Sequence, residues 1–175
     1  MGEYIATTEI ESPIGRLRLA ATRKGLVRLS LPRESGKGFA SWLTRRVPDG
    51  EAVDWLPHLD TARRELEEYF AGTRERFGVP LDLRGTEFQL ACWRELCSIP
   101  LGETRSYAEL ARAVGRPKAV RAVGAANGAN PVPLIVPCHR VINTGGKLGG
   151  YGGGLETKRR LLAFEQSVEP RGSLL

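Results

Sequence analysis

The sequence predicts an α+β fold: a small N-terminal antiparallel-sheet domain with a helix, then a mainly helical C-terminal domain containing a helix-turn-helix. Residues 4–31 indicate the first part, because apolar and polar side chains alternate there between turn-forming stretches. Residues 86–166 indicate the second, because they combine capping boxes, helical spacing of apolar side chains and glycine stops. The predicted divisions are a scaffold domain at 1–84, a C-terminal domain at 85–167 and a tail at 168–175.

The N-terminal domain has three predicted strands and one predicted helix. Leu59, Ala62 and Leu66 recur at helical spacing, which predicts an amphipathic helix over about 58–71. Residues 32–50 are rich in proline, glycine, serine and charge, and they predict a loop around a short apolar piece. No chemical motif lies in this half of the chain. The predicted strands are 4–11, 16–21 and 26–31.

The C-terminal domain begins with two capping boxes. Thr86 and Gln89 open one predicted helix, and Ser106 and Glu109 open a second that ends before Gly115. A capping box satisfies two orphan backbone donors at once, so each is a strong sign of a helix start. A further helix over about 155–166 closes the domain.

A third helix, over 117–127 with Pro117 at its first position, completes a predicted helix-turn-helix at about 106–128. Lys118 and Arg121 are expected to face outward. Two packed helices with no role in DNA binding are the alternative, and the basic residues favour DNA. The side chains expected to face inward are Ala119, Val120, Ala122, Val123 and Ala126.

Composition and charge exclude several classes of protein. No run of 18 apolar residues exists, so we expect no membrane span. Three cysteines argue against a disulfide scaffold, and two histidines without a C-x-x-C motif give no zinc site, so we expect a reduced, cytoplasmic protein. Residues 1–84 carry 14 basic and 13 acidic side chains, whereas 85–175 carry 12 and 7.

The basic excess is concentrated in one short segment, which suggests a polyanion partner such as nucleic acid. Charge alone slightly favours the alternative, a solvated basic face with no such partner. The basic residues of this segment are Arg105, Arg112, Arg116, Lys118 and Arg121.

Cys138 differs from the other two cysteines, Cys92 and Cys97, which we expect to be small core residues. Prolines restrain the segment that leads to Cys138, and His139 and Arg140 follow it. A free thiol is only slightly ionised at neutral pH, so a reactive one needs help. Because adjacent side chains face different ways, His139 is expected to act on Cys138 through one water rather than directly. Chance adjacency remains open from the dipeptide alone.

The wider pattern resembles the O6-alkylguanine-DNA alkyltransferase family. Pro137-Cys138-His139-Arg140-Val141, preceded by Asn130-Pro131-Val132-Pro133 and followed by Gly150-Tyr151-Gly152-Gly153-Gly154-Leu155, is similar to the family's signature. The likeness extends over 86–166, and Ser12-Pro13-Ile14-Gly15 resembles part of the family's N-terminal domain. The zinc ligands of some members are absent, so no metal is implied.

The resemblance implies DNA repair by direct, irreversible transfer of an alkyl group from O6-alkylguanine, with O4-alkylthymine as a further candidate substrate. Cys138 would be the nucleophile and the acceptor, and each molecule would act once, without metal or cofactor. His139 would deprotonate Cys138 through a water, and Glu165 would hold the other imidazole nitrogen. Asn130 would fix the geometry of the turn.

The resemblance also implies how the base is recognised in double-stranded DNA. The nucleotide would be flipped out of the stack, Arg121 would fill the space, and Tyr107 would promote rotation and donate its hydroxyl to the purine. The carbonyls of Cys138 and Val141 would read the exocyclic amine. Tyr151, Gly152 and Gly153 would cover the alkyl group, although some relatives carry serine where Gly152 stands. Further DNA contacts are expected from Arg105, Lys118, Ala122 and Ala126, in a monomer that can cluster on DNA.

Three other functions fit the sequence less well than DNA repair. Alkyltransferase-like proteins flip lesions without repairing them, but they replace the nucleophile, commonly with tryptophan, and Cys138 is present here. A helix-turn-helix regulator leaves the Cys-His-Glu constellation unexplained. A thiol hydrolase requires a base distant in sequence and an oxyanion hole, and no residues for the latter are identifiable.

Overall fold

The computed structural model describes residues 2–169, and the rest of the predicted tail, 170–175, lies outside the described residues. The chain forms two compact units, 1–84 and 85–175. The predicted α+β class is confirmed, since a strand-rich first unit is followed by a mainly helical second unit.

The first unit contains a four-stranded sheet with the order β3-β2-β1-β4. β1 and β2 are antiparallel, with Ile5 opposite Thr22, and β2 and β3 are also antiparallel. The predicted antiparallel sheet is confirmed as antiparallel-rich, and β4 adds one parallel pairing, to β1, that the sequence did not predict. The strands are β1 (Glu3–Ile10), β2 (Leu17–Thr22), β3 (Leu26–Ser30) and β4 (Gly50–Ala52).

Two helices cover this sheet, whereas the sequence predicted one. The predicted helix is confirmed as α2 (Pro57–Phe70). The predicted loop at 32–50 is wrong, because it contains α1 (Gly36–Arg46). Ser35 caps α1 by accepting a hydrogen bond from the Gly38 amide, and Phe39 enters the apolar core. This helix could not be predicted from its amphipathic pattern, because it contains two glycines and few apolar residues.

The second unit is built from four helices and short irregular segments. Both predicted capping boxes are present at the N-termini of the first two helices. A 3-10 turn over Cys138–Arg140 leads into β6, which pairs parallel to β5. The elements are α3 (Glu87–Cys97), β5 (Arg105–Ser106), α4 (Tyr107–Ala113), α5 (Val120–Gly128), β6 (Val141–Ile142) and α6 (Leu155–Ser167).

The helix predicted at 117–127 begins later, as α5 at Val120. Gly115 adopts a φ of +75° at the end of α4, in keeping with its predicted capping position. Pro117 and Lys118 lie in the turn between the helices, because the Ala119 amide bonds back to the Arg116 carbonyl. Val120 and Ala122 are exposed rather than inward. Val123 and Ala126 face inward as predicted, and together with Asn127 they form the buried face of α5.

Trp93 anchors α5 to the core of the second unit. α5 packs against α3 and α4, and the buried Trp93 indole donates from Nε1 to the Ala126 carbonyl at 2.8 Å. Cys92 is buried beside it, as predicted, but Cys97 is exposed at the end of α3, so its predicted place in the core is wrong. The orientation of α5 therefore depends on an indole from a neighbouring helix.

None of the helices in residues 2–169 combines the length and the apolar character needed to cross a membrane.

We expect Trp93→Phe to lower the free energy of unfolding by about 1–3 kcal/mol, because it removes a buried hydrogen bond and leaves a small cavity. Trp55→Phe is the matched control, since Trp55 is exposed and its indole bonds to Asp60 at the surface. Urea denaturation followed by circular dichroism measures both. Equal midpoints for the two variants would contradict the anchoring role of Trp93.

Candidate active site

Cys138 begins a tight turn whose backbone is held on both sides. The Cys138 amide donates to the Val136 carbonyl at 2.8 Å, and the Arg140 amide donates to the Pro137 carbonyl at 3.0 Å. Cys138 keeps 6% of its surface exposed. Cys138 is therefore held in a fixed, buried turn of the second unit.

Asn130 holds the loop that leads to this turn. Its side-chain amide donates to the Val136 carbonyl at 2.7 Å, and its carbonyl accepts from the Val132 amide at 3.0 Å. Leu134, within the same loop, adopts a φ of +74°, which is strained for a residue with a side chain. The buried contacts of Asn130 and of the apolar residues around Leu134 maintain this conformation.

His139 and Arg140 both bind one buried carboxylate, that of Glu165. His139 Nε2 lies 2.6 Å from Glu165 Oε1. Arg140 forms two parallel bonds to the same carboxylate, each 2.9 Å long, and donates a third to the Ile99 carbonyl at 2.6 Å. His139 and Glu165 are almost fully buried. The turn at Cys138–Arg140 is thereby tied to α6 through a single carboxylate.

The electrostatics of this cluster define the state of the imidazole. Burial alone raises the pKa of Glu165, but the hydrogen bonds and charges of His139 and Arg140 outweigh it and bring the pKa to about 2. Burial lowers the pKa of His139 and outweighs the opposing effect of Glu165. A neutral imidazole next to an ionised carboxylate carries its proton on Nε2. Nδ1 is then a basic nitrogen, and it has no hydrogen-bond partner within residues 2–169.

Cys138 is a thiol at neutral pH. Burial raises its pKa to about 11, although a hydrogen bond from Asn130, the charge of Lys158 and nearby backbone amides each lower it. Only about one molecule in ten thousand then carries a thiolate at pH 7. Nucleophilic attack by this sulfur therefore requires removal of a proton, and His139 is the adjacent base.

Tyr107 and the glycine loop (residues 143–154) line the same region. A Cβ built on Gly149, whose φ is +70°, would lie 3.3 Å from the Tyr107 ring, so only glycine allows this approach. Burial, and next the negative charge that a Cys138 thiolate would carry, raise the pKa of Tyr107, whereas a hydrogen bond with Asn127 lowers it. Tyr151 contributes a buried hydroxyl that has no partner in the described part of the chain. Gly152 is exposed and Gly153 is buried.

The two carbonyls predicted to read the substrate already accept protein hydrogen bonds. The Cys138 carbonyl accepts from the Asn127 side chain at 3.4 Å, and the Val141 carbonyl accepts from Lys158 at 2.7 Å. Each oxygen has a second lone pair. Sequence reasoning missed both donors. For Lys158 a signal existed, because it shares one face of α6 with Leu161 and Glu165, where a lysine is unexpected.

The residues predicted to contact DNA differ in how far they are exposed to solvent. Arg121, Lys118 and Ala122 are exposed on α5 and on the turn before it. Arg105 is partly exposed, donates to the Thr104 carbonyl at 2.9 Å and lies 3.7 Å from Glu103. Ala126 is only 2% exposed, packs inside the unit and does not offer its side chain to a ligand. The expectation of a contact from Ala126 is therefore withdrawn.

In residues 2–169, no three His, Cys, Asp or Glu side chains are arranged to hold a metal ion.

The fold and this cluster together define the class of protein. It is an α+β protein whose second unit carries a buried Cys-His-Glu cluster and an exposed helix that bears an arginine. Family models match both units. Residues 5–83 match the ribonuclease-like domain of 6-O-methylguanine DNA methyltransferase, and residues 87–167 match its DNA binding domain. The chain belongs to this family, and its enzyme class is that of the methylated-DNA–protein-cysteine methyltransferases.

Individual relatives agree with this assignment over nearly the whole chain. A methylated-DNA–protein-cysteine methyltransferase of Mycobacterium tuberculosis is 48% identical over 161 residues, which cover 92% of each chain. One from Methanosarcina barkeri is 45% identical and covers 90% of this chain and 95% of its own. The crystal structure of Mycobacterium tuberculosis OGT in complex with DNA matches with a TM-score of 0.79, 44% identity and 96% coverage of each chain.

We expect Glu165→Gln to lower the free energy of unfolding at pH 7 by about 3 kcal/mol, because Arg140 then keeps a buried charge without its counter-ion. The variant also loses one source of acid sensitivity. The carboxylate of Glu165 has a folded pKa of about 2, so it contributes stability above its unfolded pKa, and this contribution disappears as the pH falls toward 2.

Urea unfolding at pH 7, 5 and 3 tests both parts. Glu156→Gln, in the exposed first turn of the same helix, is the matched control and is expected to behave like the wild type. An equal loss of stability between pH 5 and 3 in Glu165→Gln and the wild type would contradict the ionised, buried state of Glu165.

Proposed function

We propose that this protein repairs DNA by moving the alkyl group of O6-alkylguanine directly and irreversibly onto Cys138. The observation that carries the proposal is the basic, unpartnered Nδ1 of a neutral His139 that is held by Glu165 directly after the cysteine. Family membership and the DNA complex of a relative support DNA as the partner.

The transfer is a displacement at the alkyl carbon. The proton of Cys138 passes through a bridging water to His139 Nδ1, and the sulfur forms a bond to carbon as the bond from carbon to O6 breaks. Glu165 stabilises the imidazolium that forms, because its carboxylate is already ionised. Guanine leaves with the electron pair and recovers a proton, so the net reaction consumes one thiol and yields one thioether. A thioether has no easy leaving group, so each molecule acts once.

Tyr107 assists the departure of the purine. Burial raises the pKa of its hydroxyl, so the phenol remains protonated and able to donate. A hydrogen bond to the guanine ring becomes stronger as negative charge develops on it, which selectively stabilises the transition state. Tyr151, Gly152 and Gly153 cover the alkyl group, and Asn130 keeps the turn of Cys138 in place.

The target base must leave the duplex to reach Cys138, at a cost of a few kcal/mol. Arg121 is exposed in the first turn of α5 and occupies the space that the flipped nucleotide vacates. Lys118 and Arg105 contribute contacts to phosphates, which fix the register without reading sequence. Affinity for undamaged duplex then falls steeply with added salt.

We expect Cys138→Ala to abolish methyl transfer from O6-methylguanine duplex DNA while DNA binding persists. Intact-mass spectrometry should show one added methyl group on the wild type, at a ratio of one per protein, and peptide mapping should place it on Cys138. Cys97→Ala is the matched control, because Cys97 is the exposed cysteine, and it is expected to react like the wild type. A methyl group on the Cys138→Ala variant, or repeated turnover by the wild type, contradicts the proposal.

We expect Arg121→Ala to slow methyl transfer from duplex DNA by about tenfold, since part of the flipping cost is no longer offset. Reaction with free O6-methylguanine base needs no flipping and should be nearly unchanged. Arg159→Ala serves as the control, because Arg159 is an exposed arginine of α6 paired with Glu156. Single-turnover rates on both substrates separate the outcomes. Equal slowing of both reactions by Arg121→Ala would remove Arg121 from the flipping step.

A further inference from the structure

Lys158 is a fully buried lysine that the proposed reaction does not use. It is the fourth residue of α6, and none of its side chain is exposed. Lysine is rarely buried to this extent, because removing an ammonium from water is costly unless partners replace the lost hydration. The surroundings of Nζ therefore indicate what this residue does.

Three backbone carbonyls surround the Lys158 ammonium. Nζ donates to the carbonyls of Val141 at 2.7 Å and Gly150 at 3.2 Å, and to that of Leu148. An ammonium has three donors, so its hydrogen-bonding capacity is filled. These partners are neutral, so the positive charge is not cancelled by them.

The three carbonyls belong to two segments that Lys158 holds together. Val141 immediately follows the turn that begins at Cys138, whereas Leu148 and Gly150 lie in the glycine loop that carries Tyr151. Four glycines of this loop, at 145, 146, 149 and 154, adopt positive φ values. Such a loop has a large conformational entropy when free, so a buried tether has a large effect on its position.

The same ammonium lies at the end of the turn that begins at Cys138, because it donates to the carbonyl of Val141, the residue that follows this turn. The charge of Lys158 lowers the pKa of Cys138, and the charge of Cys138 in turn raises the pKa of Lys158. Burial is nevertheless the larger effect on the lysine and brings its pKa to about 8. Lys158 is thus charged at neutral pH and loses its proton only above about pH 8.

We propose that Lys158 is a positioning residue that couples activation of Cys138 to closure of the glycine loop. Its ammonium holds the loop over the site and also stabilises the thiolate, so the sulfur is activated only where the loop is in place. The inference rests on the proposed function for its meaning, but its physical content concerns the sulfur and the loop alone. It therefore makes predictions in the absence of DNA.

The test compares Lys158→Met, Lys158→Gln and the control Lys147→Met, an exposed lysine of the same loop. Cys138 is alkylated with iodoacetamide across a range of pH, its modification is followed by peptide mass, and amide hydrogen exchange reports on residues 143–154. In Lys158→Met we expect alkylation at pH 7, where Lys158 is charged in the wild type, to slow about tenfold and loop exchange to accelerate. The difference in alkylation should shrink above about pH 8, where Lys158 of the wild type becomes neutral. Lys147→Met should match the wild type.

Lys158→Gln separates the two effects, because its amide still donates hydrogen bonds but carries no charge. We expect alkylation at pH 7 to slow as in Lys158→Met, while loop exchange stays closer to the wild type. Unchanged alkylation at pH 7 and unchanged loop exchange in both Lys158 variants would overturn the inference. If the Lys158 variants do not fold, amide hydrogen exchange of the wild type is compared at pH 7 and 9.5, with correction for intrinsic exchange rates. Faster exchange at pH 9.5 that is confined to residues 143–154 supports the role of Lys158. The absence of such acceleration overturns it.

Failure of the proposed function gives a different result. If wild-type protein takes no methyl group from alkylated DNA while Lys158→Met still slows iodoacetamide alkylation at pH 7, the DNA repair proposal is wrong and the role of Lys158 stands. If methyl transfer proceeds and alkylation at pH 7 is unchanged in Lys158→Met, the role of Lys158 is wrong and the repair proposal stands.

Discussion

The carboxylate of Glu165 is the constraint on which the second unit depends. It accepts from His139 and twice from Arg140, so two consecutive side chains of the turn after Cys138 are held by one group on α6. A buried ion pair can often be exchanged for apolar residues without loss of stability. That exchange is not open here, because the carboxylate also fixes the proton on Nε2 of the imidazole and leaves Nδ1 as the base. The two carboxylate oxygens of Glu165 thus contribute both to the stability of the turn and to the protonation state of His139.

The charges around the cysteine keep the sulfur protonated at rest. Arg140 compensates Glu165, Lys158 supplies a further positive charge, and burial still raises the pKa of Cys138 to about 11. A protonated, 6% exposed thiol reacts slowly with oxidants and stray electrophiles, which attack thiolates. Activation must then come from proton transfer at the moment a substrate is bound. The arrangement favours selectivity over intrinsic reactivity.

Local signals in the sequence predicted local structure, whereas contacts between residues distant in the sequence could not be predicted from it. The capping boxes at Thr86 and Ser106 were readable because both partners lie within one helical turn. The start of α5 was misplaced, because Pro117 fits a first helical position equally well in a turn. β4 pairs with β1 across more than 40 residues, and no local pattern encodes that register. The Cys138, His139 and Glu165 set was reached through a family resemblance, since nothing within the sequence links positions 139 and 165.

In the proposed function each molecule reacts once, so the site would face fewer structural demands than one that turns over. The alkyl group would stay on the protein, so a deeply buried Cys138, a strained backbone at Leu134 and a rigid carboxylate network would not limit a cycle. What it does require is accuracy on the single occasion that it reacts. The contacts of Asn130, Glu165 and Lys158 each fix a different segment of the second unit: the approach to the turn of Cys138, the turn itself and the glycine loop. Rigidity on all three sides is the arrangement that a single, irreversible transfer favours.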